Sequence, residues 1–133
     1  MPLESINPTD LSTPEMYSHV IVASGSRLVF VAGQVAEDSQ GNLVGAGDLA
    51  VQARQAFGNL GRTLAAARAR PDQVTKITIF VVNYWDECLP AVRKGRAALL
   101  GHHKPTDTLV GVETLAHPGC PIEIEAIAVV DDR

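Results

Sequence analysis

The chain has 133 residues, 46% of them hydrophobic and 20% charged, with a formal net charge of −4. That balance fits one domain spanning 1–133, long enough to bury a single core. It argues against nucleic acid as a partner, since non-specific affinity for phosphates comes from clustered Lys and Arg, and no run approaches the roughly 20 apolar residues of a membrane span.

The two cysteines, Cys88 and Cys120, are far apart and sit in no CxxC or CxxH pattern. They read as reduced thiols, and not as a disulfide framework or a zinc site. The N-terminal MPLESINPTD lacks the basic-then-apolar order of a signal peptide. A cytoplasmic location is expected, with no metal.

Residues 1–16 form a polar lead-in. Residues 19–23 (HVIVA) and 28–32 (LVFVA) are apolar runs around SGSR, so 17–35 reads as a β-hairpin. It ends at Gly33, where a glycine serves either a positive φ or the close approach of another group. After the loop at 37–47, Asp48 is a good N-cap. Leu49, Ala53, Ala56, Phe57, Leu60, Leu64 and Ala67 then repeat at helical spacing. Gln52, Arg54, Gln55, Asn59, Arg62 and Arg68 fall on a wet face, and Arg70-Pro71 stops the helix.

Residues 74–82 (VTKITIFVV) are the strongest strand, with Ile77, Ile79 and Val81 on one face and Lys76, Thr78, Phe80 and Val82 on the other. Asp86 is expected to cap a second helix that runs to about Leu100, with Gly101 after its end. Leu89, Val92, Arg96, Leu99 and Leu100 fall on one side of it, although an arginine on a helix defaults to solvent. Gly95 in its middle costs about 1 kcal/mol against Ala, which implies close packing there.

Residues 108–115 and 122–130 are two further runs around AHPGCP, read as strands joined by a turn. In the last one Ile122, Ile124, Ala126 and Ala128 share a face, opposite Glu123, Glu125, Ile127 and Val129. Carboxylates two apart in an apolar strand belong either to a partly wet edge or to the lining of a cavity or subunit interface. The order is ββαβαββ, an α+β fold with two helices on one face of a single mixed sheet. Three strands are apolar on both faces, so the uncovered face implies an oligomer packed through its sheets.

No nucleotide-binding glycine motif and no GxSxG is present. His102 and His103 stand at a helix end, near its last carbonyls. His19 reads as a surface residue before a catalytic one, His117 as a solvated turn residue, and Asp107 as a turn aspartate.

Taken together, Tyr17, VFVAGQV at 29–35, QARQAFGNLGRTLAAA at 52–67, ITIFV at 77–81 and PIEIEAIAV at 121–129 resemble the RidA/YjgF family, older labels for which include L-PSP endoribonuclease. The resemblance covers essentially the whole chain. It implies a chorismate-mutase-like fold and a homotrimer with small-molecule sites between subunits. It also implies cofactor-free hydrolysis of reactive enamines and imines. On it, Glu123 positions the attacking water, Tyr17 completes the pocket, and Gly33, Ala32 and Thr108 line the substrate.

Where the family pattern has Pro-x-Arg, with the arginine holding a substrate carboxylate, this chain has Pro105-Thr106-Asp107. An anion there repels a carboxylate, and the lost charge-assisted contact alone is worth about 1.5–3 kcal/mol. The resemblance therefore does not extend to 2-aminoacrylate. One expectation is a hydrolase or deaminase of a neutral or cationic substrate, with Asp107 and Glu123 as a carboxylate pair splitting acid and base roles. Another is a binding or regulatory trimer without turnover. A third, a ribonuclease, is disfavoured by the acidic balance.

Overall fold

Asp48 caps the first helix, its side chain accepting the Val51 N–H. The helix it opens, α1 (Leu49–Ala66), buries Ala53, Ala56, Phe57, Leu60 and Leu64 along one stripe. The structure, a computed structural model, describes residues 3–132. Before α1 come β1 (Leu3–Ile6), β2 (Val20–Ala23) and β3 (Arg27–Gln34). After it come β4 (Val74–Val82), α2 (Leu89–Leu100), β5 (Thr106–Val112) and β6 (Ile122–Val130).

The main sheet has four strands in the order β3-β6-β4-β5, with β4 and β5 parallel and the other pairs antiparallel. This is the expected α+β fold with a mixed sheet, but three pairings differ from the local reading. Residues 17–35 do not close on themselves: β2 pairs instead with β1, a strand inside the supposed polar lead-in. β3 pairs with β6, and the turn between β2 and β3 is tied to the end of β6 by Ser26 N–H donating to the Val130 carbonyl. β5 and β6 are not neighbours either, because β4 lies between them. For β3 and β5 the long apolar strands β6 and β4 offer more buried area than the adjacent segment does, whereas β1 and β2 form a short ribbon apart from the main sheet.

Two smaller expectations are also corrected. Asp86 begins a 3-10 turn (Asp86–Cys88), and α2 starts only at Leu89, with Pro90 in its first turn. Residue 107 lies inside β5, not in a turn.

Both helices cover one face of the sheet, where Ile77, Ile79, Val81, Ile122, Ile124, Ala126 and Ala128 are buried with the α1 stripe. The opposite face is bare. Leu28 and Phe30 are 65% and 71% exposed on it, beside half-buried Phe80 and Ile127.

The α1–α2 contact depends on Gly95. A Cβ built there would lie 2.9 Å from Phe57 Cδ2 and 3.0 Å from the backbone C and O of Ala53. Overpacking costs about 1–3 kcal/mol, against the gain of about 1 kcal/mol that Ala brings to a helix interior. Gly95→Ala is therefore expected to lower the urea midpoint. An unchanged midpoint would show that the helices part freely at this position.

Candidate functional site

Between Val31 and Gln34 the β3–β6 register slips by one residue, so Ala32 and Gly33 together oppose Glu125. Such a bulge bends the strand and re-aims its neighbours. Glu123, paired with Phe80 on its other side, uses the room. Its carboxylate sits directly on Gly33: a Cβ there would fall 2.0 Å from Glu123 Oε2. Of the two roles open to Gly33, close approach is the one the structure uses.

A polar cavity of about 590 Å³ borders Gly33 and extends to the edge of α1, where Gln55, Asn59 and Arg62 line it opposite Glu37 and His117. These α1 side chains form a ladder. Asn59 Nδ2 donates to the Val35 and Glu37 carbonyls at 2.9 and 2.8 Å, and Gln55 Nε2 donates to the Glu37 carbonyl at 3.0 Å. Arg62 Nη1 donates to Asn59 Oδ1 at 3.1 Å. The ladder fixes the segment leaving β3, and with it the placement of Glu37, whose Oε1 lies 3.5 Å from His117 Nε2. Cys120 is buried beside this cluster. Burial pushes its thiol pKa up, the Glu37 and Glu123 charges add to that, and a backbone hydrogen bond from Ala36 offsets part of it. The thiol is thereby kept protonated and unreactive.

Tyr17 stands elsewhere. It meets His19 edge to face, with ring centroids 5.7 Å apart, and His19 Nε2 lies 2.8 Å from the Ser12 carbonyl. The neighbouring Ser18 N–H donates to the Pro105 carbonyl at the start of β5, whereas Glu123 is level with Val110 near its end. β4 also lies between β6 and β5, so Tyr17 and Glu123 of one chain are on the order of 20 Å apart by strand geometry. Thr108 shares the bare face with Glu123, two strands across, where its hydroxyl accepts a hydrogen bond from Lys76 Nζ at 2.7 Å.

Asp107 is paired with Ile77 and so points to the helix-covered face, away from Glu123. There Arg96 of α2 donates from Nε to Asp107 Oδ2 at 2.8 Å, with the two side chains 5% and 12% exposed. Burial raises the Asp107 pKa, and the Arg96 guanidinium pulls it back. The expected carboxylate pair of Asp107 and Glu123 is therefore not formed, because alternation along neighbouring strands sends them to opposite faces. Arg96, assigned to solvent by default, is buried instead. Among the described residues no group of three His, Cys, Asp or Glu side chains is placed to hold a metal ion.

The Endoribonuclease L-PSP family model matches residues 9–130. The chain belongs to this family, known also as RidA/YjgF. A solved structure of the Rid-family protein YyfB from Yersinia pestis superimposes with a TM-score of 0.91 at 34% identity, covering 98% of this chain and 100% of that one. A protein of Dermatophagoides farinae named 2-iminobutanoate/2-iminopropanoate deaminase is 29% identical over 77% of this chain and 78% of its own length. The RutC family protein slr0709 of Synechocystis is 33% identical over 75% of this chain and 84% of its own length.

Within this RidA/YjgF frame, Glu123, Gly33 and Ala32 converge at the bulge, while Tyr17, Thr108 and Asp107 do not join them in a single chain. The Gln55–Asn59 ladder was hidden in the sequence as a wet helix face. Its signal is the pair of amides four residues apart, each able to satisfy loop carbonyls.

Proposed function

We propose that the protein is a cofactor-free hydrolase of the deaminase type, acting on a small C=N or C–N substrate. The observation that carries this reading is the Glu123 carboxylate seated on Gly33, next to a polar cavity of about 590 Å³. The name of the Dermatophagoides relative supports it. For an imine, Glu123 takes a proton from water as the water oxygen bonds to the imine carbon. The π pair moves to nitrogen, which takes that proton from Glu123 to give the carbinolamine. Glu123 then removes the carbinolamine hydroxyl proton and passes it to nitrogen as the C=O bond forms and the C–N bond breaks, leaving a carbonyl compound and an amine or ammonia. No arginine stands at position 107 to hold a substrate carboxylate, and Asp107 itself is turned into the helix–sheet layer against Arg96, so the preferred substrate is not a simple 2-aminoacrylate-type acid.

The working form in this proposal is a homotrimer with sites between copies, in the cytoplasm, where Cys88 and Cys120 stay reduced. The bare sheet face with Leu28 and Phe30 supports burial against other copies. The separation of Tyr17 from Glu123 supports a site that takes Tyr17 from one copy and Glu123 from the next. A binding trimer without turnover is the second reading, favoured by the sequestered Asp107. The formal charge of −4 speaks against nucleic acid as substrate.

The test combines light scattering with assays on a small neutral imine and on 2-aminoacrylate. A trimer is expected, accelerating the neutral imine but not 2-aminoacrylate. Glu123→Gln should lower the neutral-imine rate about 10²–10⁴-fold, the usual worth of a general base, and leave the trimer intact. Ligand binding without turnover would establish the second reading, and a monomer at micromolar concentration would remove the intersubunit site.

A further inference from the structure

We propose that the bare sheet face docks onto a second copy of this chain through an ion pair between copies, Glu125 of one with Lys76 of the next. This rests on the homotrimer put forward above and names the contact that sets its register. A carboxylate in β6 belongs either to a wet edge or to the lining of a cavity or interface. β6 is flanked by β3 and β4 and is no edge, so the first reading falls away for Glu125. Strand register sets Glu125 directly across from Thr78, between the row of Phe30, Ile127 and Lys76 and the Glu123–Phe80 pair. Glu125 is exposed, and no hydrogen bond or ion pair among the described residues satisfies it.

Covering Leu28 and Phe30 takes Glu125 out of water with them. A buried carboxylate is costly unless a cation meets it, so whatever covers this face has to bring one. Of the four strands, only Lys76 brings a cation to this face. Within one chain Lys76 reaches the wrong way. Its Nζ donates to Thr108 on β5 at 2.7 Å, whereas Glu125 lies on β6, on the other side of β4. A pocket of about 210 Å³ opens beside Glu125, walled by Phe30, Val31, Thr78 and Ile127. It suits an incoming lysine, whose methylene stem lies along apolar walls while its ammonium meets the carboxylate. In a ring of three, the copies repeat head to tail. Position 76 of each copy then meets position 125 of the next, and three identical pairs close the ring. Opposite charges select this register, and registers that set Glu125 against Glu125 are penalised.

Light scattering of the full chain over a range of concentrations tests the pair. Lys76→Glu and Glu125→Lys should each raise the concentration at which the trimer half-dissociates by on the order of 10²-fold, since each sets like charges face to face. Mixing the two variants should restore most of the assembly. An odd ring then takes a 2:1 composition, in which two of the three contacts again join opposite charges. A pair closed within one chain would not respond to mixing, because each chain keeps its own like charges. Rescue by the double variant Lys76→Glu/Glu125→Lys without rescue by mixing therefore overturns the proposal. Single variants that assemble like the native trimer overturn it too and leave the trimer standing, whereas a monomeric native chain removes both. Should Lys76→Glu fail to fold, oxidation of a mixture of Lys76→Cys and Glu125→Cys chains should give a disulfide-linked dimer that neither chain gives alone. Its absence counts against the proposal in the same way.

Discussion

Replacing Arg96 by Met is expected to destabilise the fold by about 3–5 kcal/mol, because it leaves Asp107 as a buried charge without a partner. The intact pair is itself imperfect, since Arg96 Nη2 and Asp107 Oδ1 are both buried without hydrogen-bond partners. Its net worth against apolar residues is therefore small. The double variant Arg96→Met/Asp107→Leu should come back to native stability or exceed it. The pH dependence has a definite sign. The unfolded chain protonates Asp107 near its ordinary value of 3.8, while burial raises the value in the folded chain and Arg96 holds it part-way down. Between those two values the folded chain binds more protons, so stability falls as pH rises through that window. Without Arg96 the folded value climbs further and the window widens upward. The deficit of Arg96→Met should accordingly be full at pH 7 and shrink as the pH approaches 4. Urea unfolding at one protein concentration and several pH values measures this, and a deficit that ignores pH would sink the account.

Gly33→Ala is the second large effect expected. A methyl group there would stand 2.0 Å from Glu123 Oε2, which no side chain tolerates, so the carboxylate has to swing away. A displacement of about 1 Å at a reacting group can cost on the order of 10²-fold, and a loss of that size in turnover or ligand affinity is expected. The fold should hold, because Gly33 lies in a bulge at the end of an edge strand and the atoms nearest to a Cβ there all belong to the Glu123 side chain. Adding Glu123→Gln should then change little further, as both substitutions remove one group's action. Full activity in Gly33→Ala would mean that Glu123 works from some other position.

The elements that the sequence made legible are those whose signal is local. Asp48 and the stripe from Ala53 to Leu64 specify α1, and strict alternation identifies β4 and the two faces of β6. Strand pairing is not local. β3 satisfies its backbone against β6, about a hundred residues away, and β1 and β2 form a small ribbon of their own. The site was half legible. Glu123 and Gly33 meet because a one-residue slip brings them together, which spacing alone does not announce. The burial of Arg96 did leave a trace, in its place on the apolar side of α2 with Val92 and Leu99. A charge on such a stripe calls for an opposite charge across the interface, and Asp107 sits on the facing strand.

That ion pair also governs how this protein can be re-engineered. An arginine introduced at 107 would not recreate a carboxylate clamp, because it would meet Arg96 inside the helix–sheet layer as a second cation with no counterion. Removing Arg96 first strands Asp107 instead. Each single step passes through a destabilised intermediate, and only a coordinated exchange at both positions avoids it. The residue at 107 is thus latched by its neighbour on α2, so any exchange at this position has to be designed together with position 96, from the interior of the domain outward.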